Sequence, residues 1–211
     1  MSARRKFDLN LREIVAGLLF IAVMAILANG FGGAAARPRS GPASPVAATN
    51  DAAAKAAFLA AYPVFMHPRC VNCHPVADVP LQGDDSHLHT QNVQRASDGR
   101  GKYALKCANC HQWANVSGAN MPPGAPNWHM PPARMKMVFE GKSAGELCRQ
   151  LKDPKLNGGR SGTSAIGHLE ADRLVLWGWS PGDGRATPPL SHAEFVRKMK
   201  EWAQNGAACP D

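Results

Sequence analysis

The stretch "CVNCH" at residues 70–74 returns as "CANCH" at residues 107–111, so one five-residue pattern occurs twice in the chain. Cys-x-x-Cys-His is the attachment signature of c-type haem, in which two thioether bonds hold the porphyrin and the histidine ligates the iron. The pattern therefore predicts two covalently bound haems. Their attachment cysteines and iron-ligating histidines are Cys70, Cys73, Cys107, Cys110, His74 and His111.

Cys-x-x-Cys pairs also build zinc ribbons and thioredoxin-like redox sites. A zinc ribbon has no need for a histidine directly after each second cysteine, and the chain has only eight histidines. A thioredoxin-like motif follows a strand and opens a helix, and no run of Val and Ile precedes either motif. Zinc is therefore the main alternative to haem.

Residues 1–36 have the composition of a targeting segment. A basic start is followed by an almost wholly apolar stretch at residues 14–28, and Ala34 and Ala36 suit a signal peptidase. Residues 14–36 carry no charge, so the segment is also long enough to remain as a membrane anchor helix. Either outcome places the rest of the chain in a bacterial periplasm, since the basic end stays cytoplasmic.

The remaining chain divides into a flexible linker at residues 37–50, rich in Pro, Ala and Ser, and a folded domain at residues 51–211. The expected fold is mainly α with long irregular loops, a compact dihaem cytochrome c domain behind the signal or anchor helix. We find no convincing strand.

Several helix boundaries follow from the sequence. Asp51 is expected to cap a first helix that Pro63 ends, and residues 101–112 are expected to form a short helix around the second motif. Two capping boxes and one further N-terminal cap mark three helices in the C-terminal third. These caps are Ser143 with Glu146, Ser191 with Glu194, and Asp172.

Two of the six cysteines, Cys148 and Cys209, lie outside the motifs and are expected to form a disulfide in an exported protein. The formal charge of +8 falls to +6 without residues 1–36, which hold four basic and two acidic side chains. Haem propionates would lower it further. No basic run with interleaved aromatic residues is present, so we predict no nucleic-acid partner.

The second axial ligand of each iron sets its redox chemistry. His89 and His87 lie in the loop after the first motif, and we expect a bis-histidine first haem with His89 ahead of His87. Met137 is the first choice for the second haem and His129 the next. The other candidates for the second haem are Met121, Met130, Met135 and His168.

A set of segments resembles the small dihaem c-type cytochromes of the isoquinoline 1-oxidoreductase subunit type. They span roughly residues 66–210 and are "PRCVNCHP", "PLQGDD" with His89, "QNVQR", "CANCHQ", "PPGAPNWHMPP", "MVFEG", "ELCRQLKDPKLNGGR" and "LVLWGW". The resemblance implies a periplasmic electron-transfer subunit that works with a molybdenum hydroxylase. It also implies that His89, His129 and His168 are ligands or haem-pocket residues, with Met137 beside them.

The chain itself has no molybdopterin fingerprint and no further cysteines for an iron–sulfur cluster, so the substrate chemistry would belong to a partner. The expected function is an electron carrier, not an enzyme, that passes electrons from such a hydroxylase or another dehydrogenase to a downstream cytochrome or oxidase. The alternative is a dihaem enzyme of the peroxidase type with one open haem site. A haem-based sensor or assembly protein is disfavoured because no signalling domain is evident.

Overall fold

A computed structural model describes residues 49–118, 120–182 and 184–211, and these residues are mostly helical with little sheet and long loops, as predicted. In chain order the elements are α1 (Asp51–Phe65), α2 (Pro68–Val71), β1 (Leu81–Gln82), β2 (His87–Leu88), a 3₁₀ turn (Cys107–Asn109), α3 (Ala144–Lys152), α4 (Gly162–Ala171), α5 (Arg173–Trp177) and α6 (His192–Gln204). The predicted targeting segment and nearly all of the predicted linker lie outside the described residues. Within the described part of the chain, no helix is long and apolar enough to cross a membrane.

Helix α1 differs from its predicted boundaries at both ends. The cap is Asn50, whose side chain accepts a hydrogen bond from the Ala53 N–H at 3.0 Å, so Asp51 is the first helical residue instead. Pro63 lies inside the helix, which continues to Phe65. Proline removes one N–H from the helical ladder, but the Met66 N–H still reaches the Tyr62 carbonyl at 3.2 Å and completes the last turn.

The core lies between α1 and α6. Buried residues recur every three or four positions along α1, as in an amphipathic helix, and they are Ala54, Ala57, Phe58, Ala61, Val64 and Phe65. The ring centroids of Phe58 and Trp202 are 5.4 Å apart, and those of Phe65 and Phe195 are 5.1 Å apart. Aromatic contacts of this kind hold the two helices together.

The predicted disulfide is confirmed: Cys148 of α3 is bonded to Cys209 near the C-terminus, with Cα atoms 5.5 Å apart. The Ser143 capping box at the start of α3 is also confirmed, and Asp172 caps α5. Ser191 accepts the Glu194 N–H and caps α6. The disulfide thus anchors the C-terminal tail to a well-defined helix in the core.

Long loops connect β1, β2 and the second motif. The helix predicted over residues 101–112 is wrong, because only Cys107–Asn109 form a 3₁₀ turn. Gly101 and Tyr103 have φ values of +88° and +51°, a left-handed conformation that interrupts a right-handed helix. The expectation of no strand is also corrected: β1 pairs with β2 in an antiparallel hairpin, in which Leu81 faces Leu88, and His89 directly follows it.

Candidate functional site

The first motif histidine is held by residues 137–139. His74 Nδ1 lies 2.6 Å from the Met137 carbonyl oxygen, and the His74 carbonyl accepts the Phe139 N–H at 2.9 Å. The imidazole also stacks on the Phe139 ring, with centroids 3.9 Å apart and planes inclined by 6°. A loop 63 residues further along the chain thus holds the ring by one hydrogen bond and one stacking contact, and the His74 backbone by a second hydrogen bond.

The second motif histidine has the same kind of surroundings. His111 Nδ1 lies 2.7 Å from the Pro123 carbonyl oxygen, and its ring stacks on Trp128 with centroids 4.4 Å apart and planes inclined by 4°. Each motif histidine is therefore held by one backbone carbonyl and one aromatic ring. The two loops that supply these groups have different sequences, so the two sites share the arrangement of their contacts and not the residues that make them.

The carbonyl contacts determine which ring nitrogen of each histidine is free. A carbonyl oxygen only accepts hydrogen bonds, so Nδ1 of His74 and of His111 carries the proton and donates it. In a neutral imidazole the other nitrogen, Nε2, is then bare and available to a metal. Histidines that ligate metals in proteins are oriented in this way by their second nitrogen.

His89 lies beside the second motif, although the sequence analysis paired it with the first. Its ring centroid is 6.3 Å from that of His111, with planes inclined by 59°. The β1–β2 hairpin fixes the backbone at this point, because the His89 N–H donates to the Pro80 carbonyl at 3.0 Å beside the paired strands. His89 Nδ1 is buried without a hydrogen-bond partner in the structure.

The separation of His89 and His111 matches two ligands of one metal ion. Metal–imidazole bonds are about 2.0 Å long, and the centre of an imidazole lies about 1.1 Å from its nitrogens, because ring bonds are about 1.33 Å long. Two imidazoles on opposite sides of one iron thus have ring centres about 6.2 Å apart. The inclination of the planes is no obstacle, since each ring can rotate about its metal–nitrogen bond.

A cavity of about 850 Å³ opens beside the first motif. Cys70, Cys73 and His74 line it together with core side chains that include Phe65, Phe195 and Met199. Its volume lies in the upper part of the range for sites that enclose flat organic ligands, about 300–1,000 Å³. The apolar lining and the adjoining thiols suit a porphyrin attached at this motif.

Two further histidines, His129 and His168, line the same cavity. His168 Nδ1 lies 3.1 Å from a carboxylate oxygen of Asp172, and His129 Nδ1 lies 2.5 Å from the Asn127 carbonyl oxygen. Both rings thus have an oriented Nδ1. The sequence analysis assigned His129 to the second haem, and the structure places it at the first cavity.

Met137, the predicted ligand of the second haem, lies beside the first motif. Its carbonyl oxygen accepts the hydrogen bond from His74, and the residue lines the first cavity. The contacts of His111 described above are made by Pro123 and Trp128 instead. Of the other methionines considered, Met135 lines the first cavity, Met130 is buried and Met121 is exposed. His87 is exposed and contacts Asp85.

Burial keeps the histidines of both motifs in their neutral form. Desolvation lowers the pKa of His74 to about 4, against the smaller opposing effect of the Met137 hydrogen bond. Desolvation likewise lowers the pKa values of His111, His89 and His168. A neutral imidazole is the form that binds a metal ion, so these shifts favour ligation at neutral pH.

Burial favours the protonated form of the first motif's thiols. Burial among apolar side chains raises the pKa of Cys70 to about 12 and that of Cys73 to about 11, and each value is raised further by a neighbouring cysteine. In the second motif Cys110 is exposed. The cysteines of the first motif are thus half-buried, while one cysteine of the second motif reaches the surface.

Basic side chains also border the first cavity, where a haem would need partners for its two propionates. They are Arg69, Arg134, Lys152 and Arg160, and among the residues that the structure describes Asp172 is the one acidic side chain in the lining. Arg69 is largely buried and its Nε has no hydrogen-bond partner in the structure, which marks a polar atom that a propionate oxygen can satisfy. Among residues 49–118, 120–182 and 184–211, no group of three or more His, Cys, Asp or Glu side chains is placed to hold one metal ion.

The sequence analysis missed the groups that orient the two motif histidines. Backbone carbonyls of Met137 and Pro123 leave no signature in a sequence, and Phe139 and Trp128 look like ordinary core residues. Their common position after a proline-rich segment was the only available signal. No protein-family model, curated protein or solved structure matches this chain.

Proposed function

We propose that this chain is an electron-transfer protein that carries two covalent c-type haems, one at each Cys-x-x-Cys-His motif. The observation that supports this most directly is the repeated geometry around His74 and His111. Both histidines follow an attachment pair of cysteines, donate Nδ1–H to a carbonyl and leave Nε2 bare. A haem iron bound there would supply a one-electron couple.

For the second haem, we propose His111 and His89 as the two axial ligands. The 6.3 Å separation of their rings supports this pair, as does the buried, unpartnered Nδ1 of His89. Burial keeps both imidazoles neutral. Such a site has no vacant position for a substrate, which favours an electron carrier over a peroxidase.

For the first haem, we propose His74 and His168 as the axial ligands, with His129 as the competing residue on the same cavity. The support for His168 is its contact with Asp172, since a carboxylate that accepts Nδ1–H orients the ring and raises its basicity as a ligand. His129 has only a backbone carbonyl at Nδ1. Arg134, Lys152 and Arg160 at the cavity would neutralise propionates, whereas the guanidinium of Arg69 is paired with Asp84 and offers only its Nε.

The proposed location is the periplasm, where covalent haem attachment and a disulfide are both compatible with the environment. The proposed partners are a molybdenum hydroxylase or another dehydrogenase as the electron donor and a downstream cytochrome or oxidase as the acceptor. These partners rest on the resemblance described above. The N-terminal segment would export the chain or anchor it to the inner membrane.

The first test is the absorption spectrum of the purified protein, oxidised and reduced, with haem quantified per chain. We expect two low-spin haems per chain and no spectral change when the reduced protein is exposed to carbon monoxide. Fewer than two haems would contradict the proposed cofactor content. A ready response to carbon monoxide would favour an enzyme with an open site.

Ligand variants test the assignments separately. His89→Ala should convert one of the two haems to a high-spin, carbon monoxide-binding form, and His87→Ala is the matched control because His87 is exposed in the same hairpin. His168→Ala should do the same to the other haem, with His129→Ala as its control. If His129→Ala opens the site and His168→Ala does not, the assignment of the first distal ligand is wrong.

A further inference from the structure

We infer that Trp177, a wall residue of the first cavity, is a positioning residue for His111 of the second motif. The inference rests on the proposed function, because its readout is the second haem. Trp177 would then be shared by the two haem sites, so that a change at the first cavity alters the ligand geometry of the second iron. Neither motif nor its spacing indicates this link.

The contact begins at the second motif. His111 stacks on Trp128, and Trp128 meets Trp177 edge to face, with ring centroids 4.8 Å apart and planes inclined by 77°. Aromatic rings favour this edge-to-face geometry because the positive edge of one ring meets the negative face of the other. Trp177 thus packs against Trp128, and Trp128 packs against the imidazole.

A hydrogen-bond network connects Trp177 to His111 by a second route. Asn115 Oδ1 accepts from the Trp177 indole N–H at 2.9 Å and from the Gly124 N–H at 3.0 Å. Gly124 follows Pro123, whose carbonyl holds His111 Nδ1. The Asn115 amide donates to the Ser180 carbonyl at 3.0 Å, which fixes the orientation of its oxygen. Both contacts of His111 therefore lead to Trp177.

Trp177 also contacts residues of the first site. It lines the first cavity with Cys70 and His74. The guanidinium of Arg69 lies 5.7 Å from the centre of the Trp177 ring, in the range of a cation–π contact, and Arg69 directly precedes Cys70 in the chain. One indole thus contacts the first motif through Arg69 and the second through Trp128.

The inference has a physical consequence that can be measured. The orientation of an axial imidazole and the hydrogen bond at its Nδ1 both affect the reduction potential of a metal that it ligates. Trp177→Phe keeps an aromatic ring against Trp128 but removes the N–H to Asn115, and should shift both the reduction potential and the electron paramagnetic resonance g values of the second haem. Asn115→Ala should shift the same signals without altering the lining of the first cavity, because Asn115 does not line it.

Trp179→Phe is the matched control. Trp179 also lines the first cavity, donates its indole N–H to a carbonyl, that of Leu190, at 2.8 Å, and contacts a histidine, His192, edge to face at 4.8 Å. It differs from Trp177 in having no contact with Trp128. The control should alter signals of the first haem at most.

The experiment records potentials and g values of the wild type and the Trp177→Phe, Trp128→Phe, Asn115→Ala and Trp179→Phe variants. The second haem is identified as the one whose low-spin signal disappears in His89→Ala. A double variant, Trp128→Phe with Trp177→Phe, should shift that signal by less than the sum of the single shifts, because both residues act through one contact.

The inference is overturned if the wild type holds two haems and Trp177→Phe shifts the potential and g values of the second haem no more than Trp179→Phe does. Additive shifts in the double variant would also overturn it. Fewer than two haems per wild-type chain would overturn the proposed function and this inference together. A shift of the second haem in both Trp177→Phe and Asn115→Ala, absent from the control, supports it.

Discussion

Removal of the Cys148–Cys209 disulfide is expected to lower the free energy of unfolding by about 4 kcal/mol. The bond joins residues separated by 61 positions. In the chain-entropy model, a closed loop of that length removes about 14 cal/mol/K from the unfolded state, which is about 4 kcal/mol at 25 °C. The loop includes all of α4, α5 and α6, so the bond restrains the helices that form one side of the first cavity.

Two perturbations separate this effect from loss of packing. A mild reductant opens the disulfide and leaves both sulfur atoms in place, while thioether bonds to haem are not reduced. The double variant Cys148→Ala with Cys209→Ala also removes the sulfur atom of Cys148, which is fully buried in the core. The variant should therefore be less stable than the reduced wild type by a further, smaller amount.

Denaturant unfolding followed by helical circular dichroism measures both losses. A loss of 4 kcal/mol corresponds to a fall in Tm of roughly 8–16 °C, at about 2–4 °C per kcal/mol for a chain of this size. If the reduced wild type lies within about 1 kcal/mol of the oxidised protein, the chain-entropy estimate is refuted. Residual structure in the unfolded chain would then already hold the two segments together.

Three further outcomes follow from the site. Thiol titration of the denatured protein should find no free thiol before reduction and two afterwards, because the proposed haems would occupy the four motif cysteines and the disulfide holds the other two; four more would contradict haem attachment. Gly124→Ala should weaken the second site, since the added Cβ meets the Ala114 carbonyl oxygen and displaces the loop that holds His111; unchanged potentials would count against this. The free energy of unfolding should fall as the pH drops through about 3.8, because the hydrogen bond from Lys136 lowers the pKa of Asp78 in the folded protein and the unfolded chain takes up the proton first; pH-independent urea unfolding in this range would disagree.

Local chemistry was predictable from the sequence. The capping residues Ser143 and Asp172 act on N–H groups two or three positions away, so their roles are decided within one helical turn. The pairing of Cys148 with Cys209 followed from elimination, because the other four cysteines belong to repeated motifs. Mainly helical structure with long loops followed from the caps and from the distribution of proline and glycine.

The pairing of distant groups was not predictable. His89 was paired with the first motif because it is near in the chain, but its ring centroid lies 6.3 Å from that of His111. Met137 was chosen for its sulfur atom, and what the structure places on His74 is its backbone carbonyl. Distance along the chain says little about a contact that tertiary packing creates, as between His89 and His111. Side-chain chemistry says little about a contact made by a backbone atom, such as the Met137 carbonyl.

The two proposed haem sites stand in different relations to the core. Phe65, Phe195, Met199 and Trp202 belong both to the core cluster and to the wall of the first cavity. A haem at the first motif would therefore complete the hydrophobic core, and folding would depend on it. The second motif lies on a 3₁₀ turn between loops and has an exposed cysteine, Cys110, so its order depends on the groups that hold His111. Because those groups lead back through Trp128 to the wall of the first cavity, the core would support both sites, the first by direct enclosure and the second through a chain of aromatic contacts.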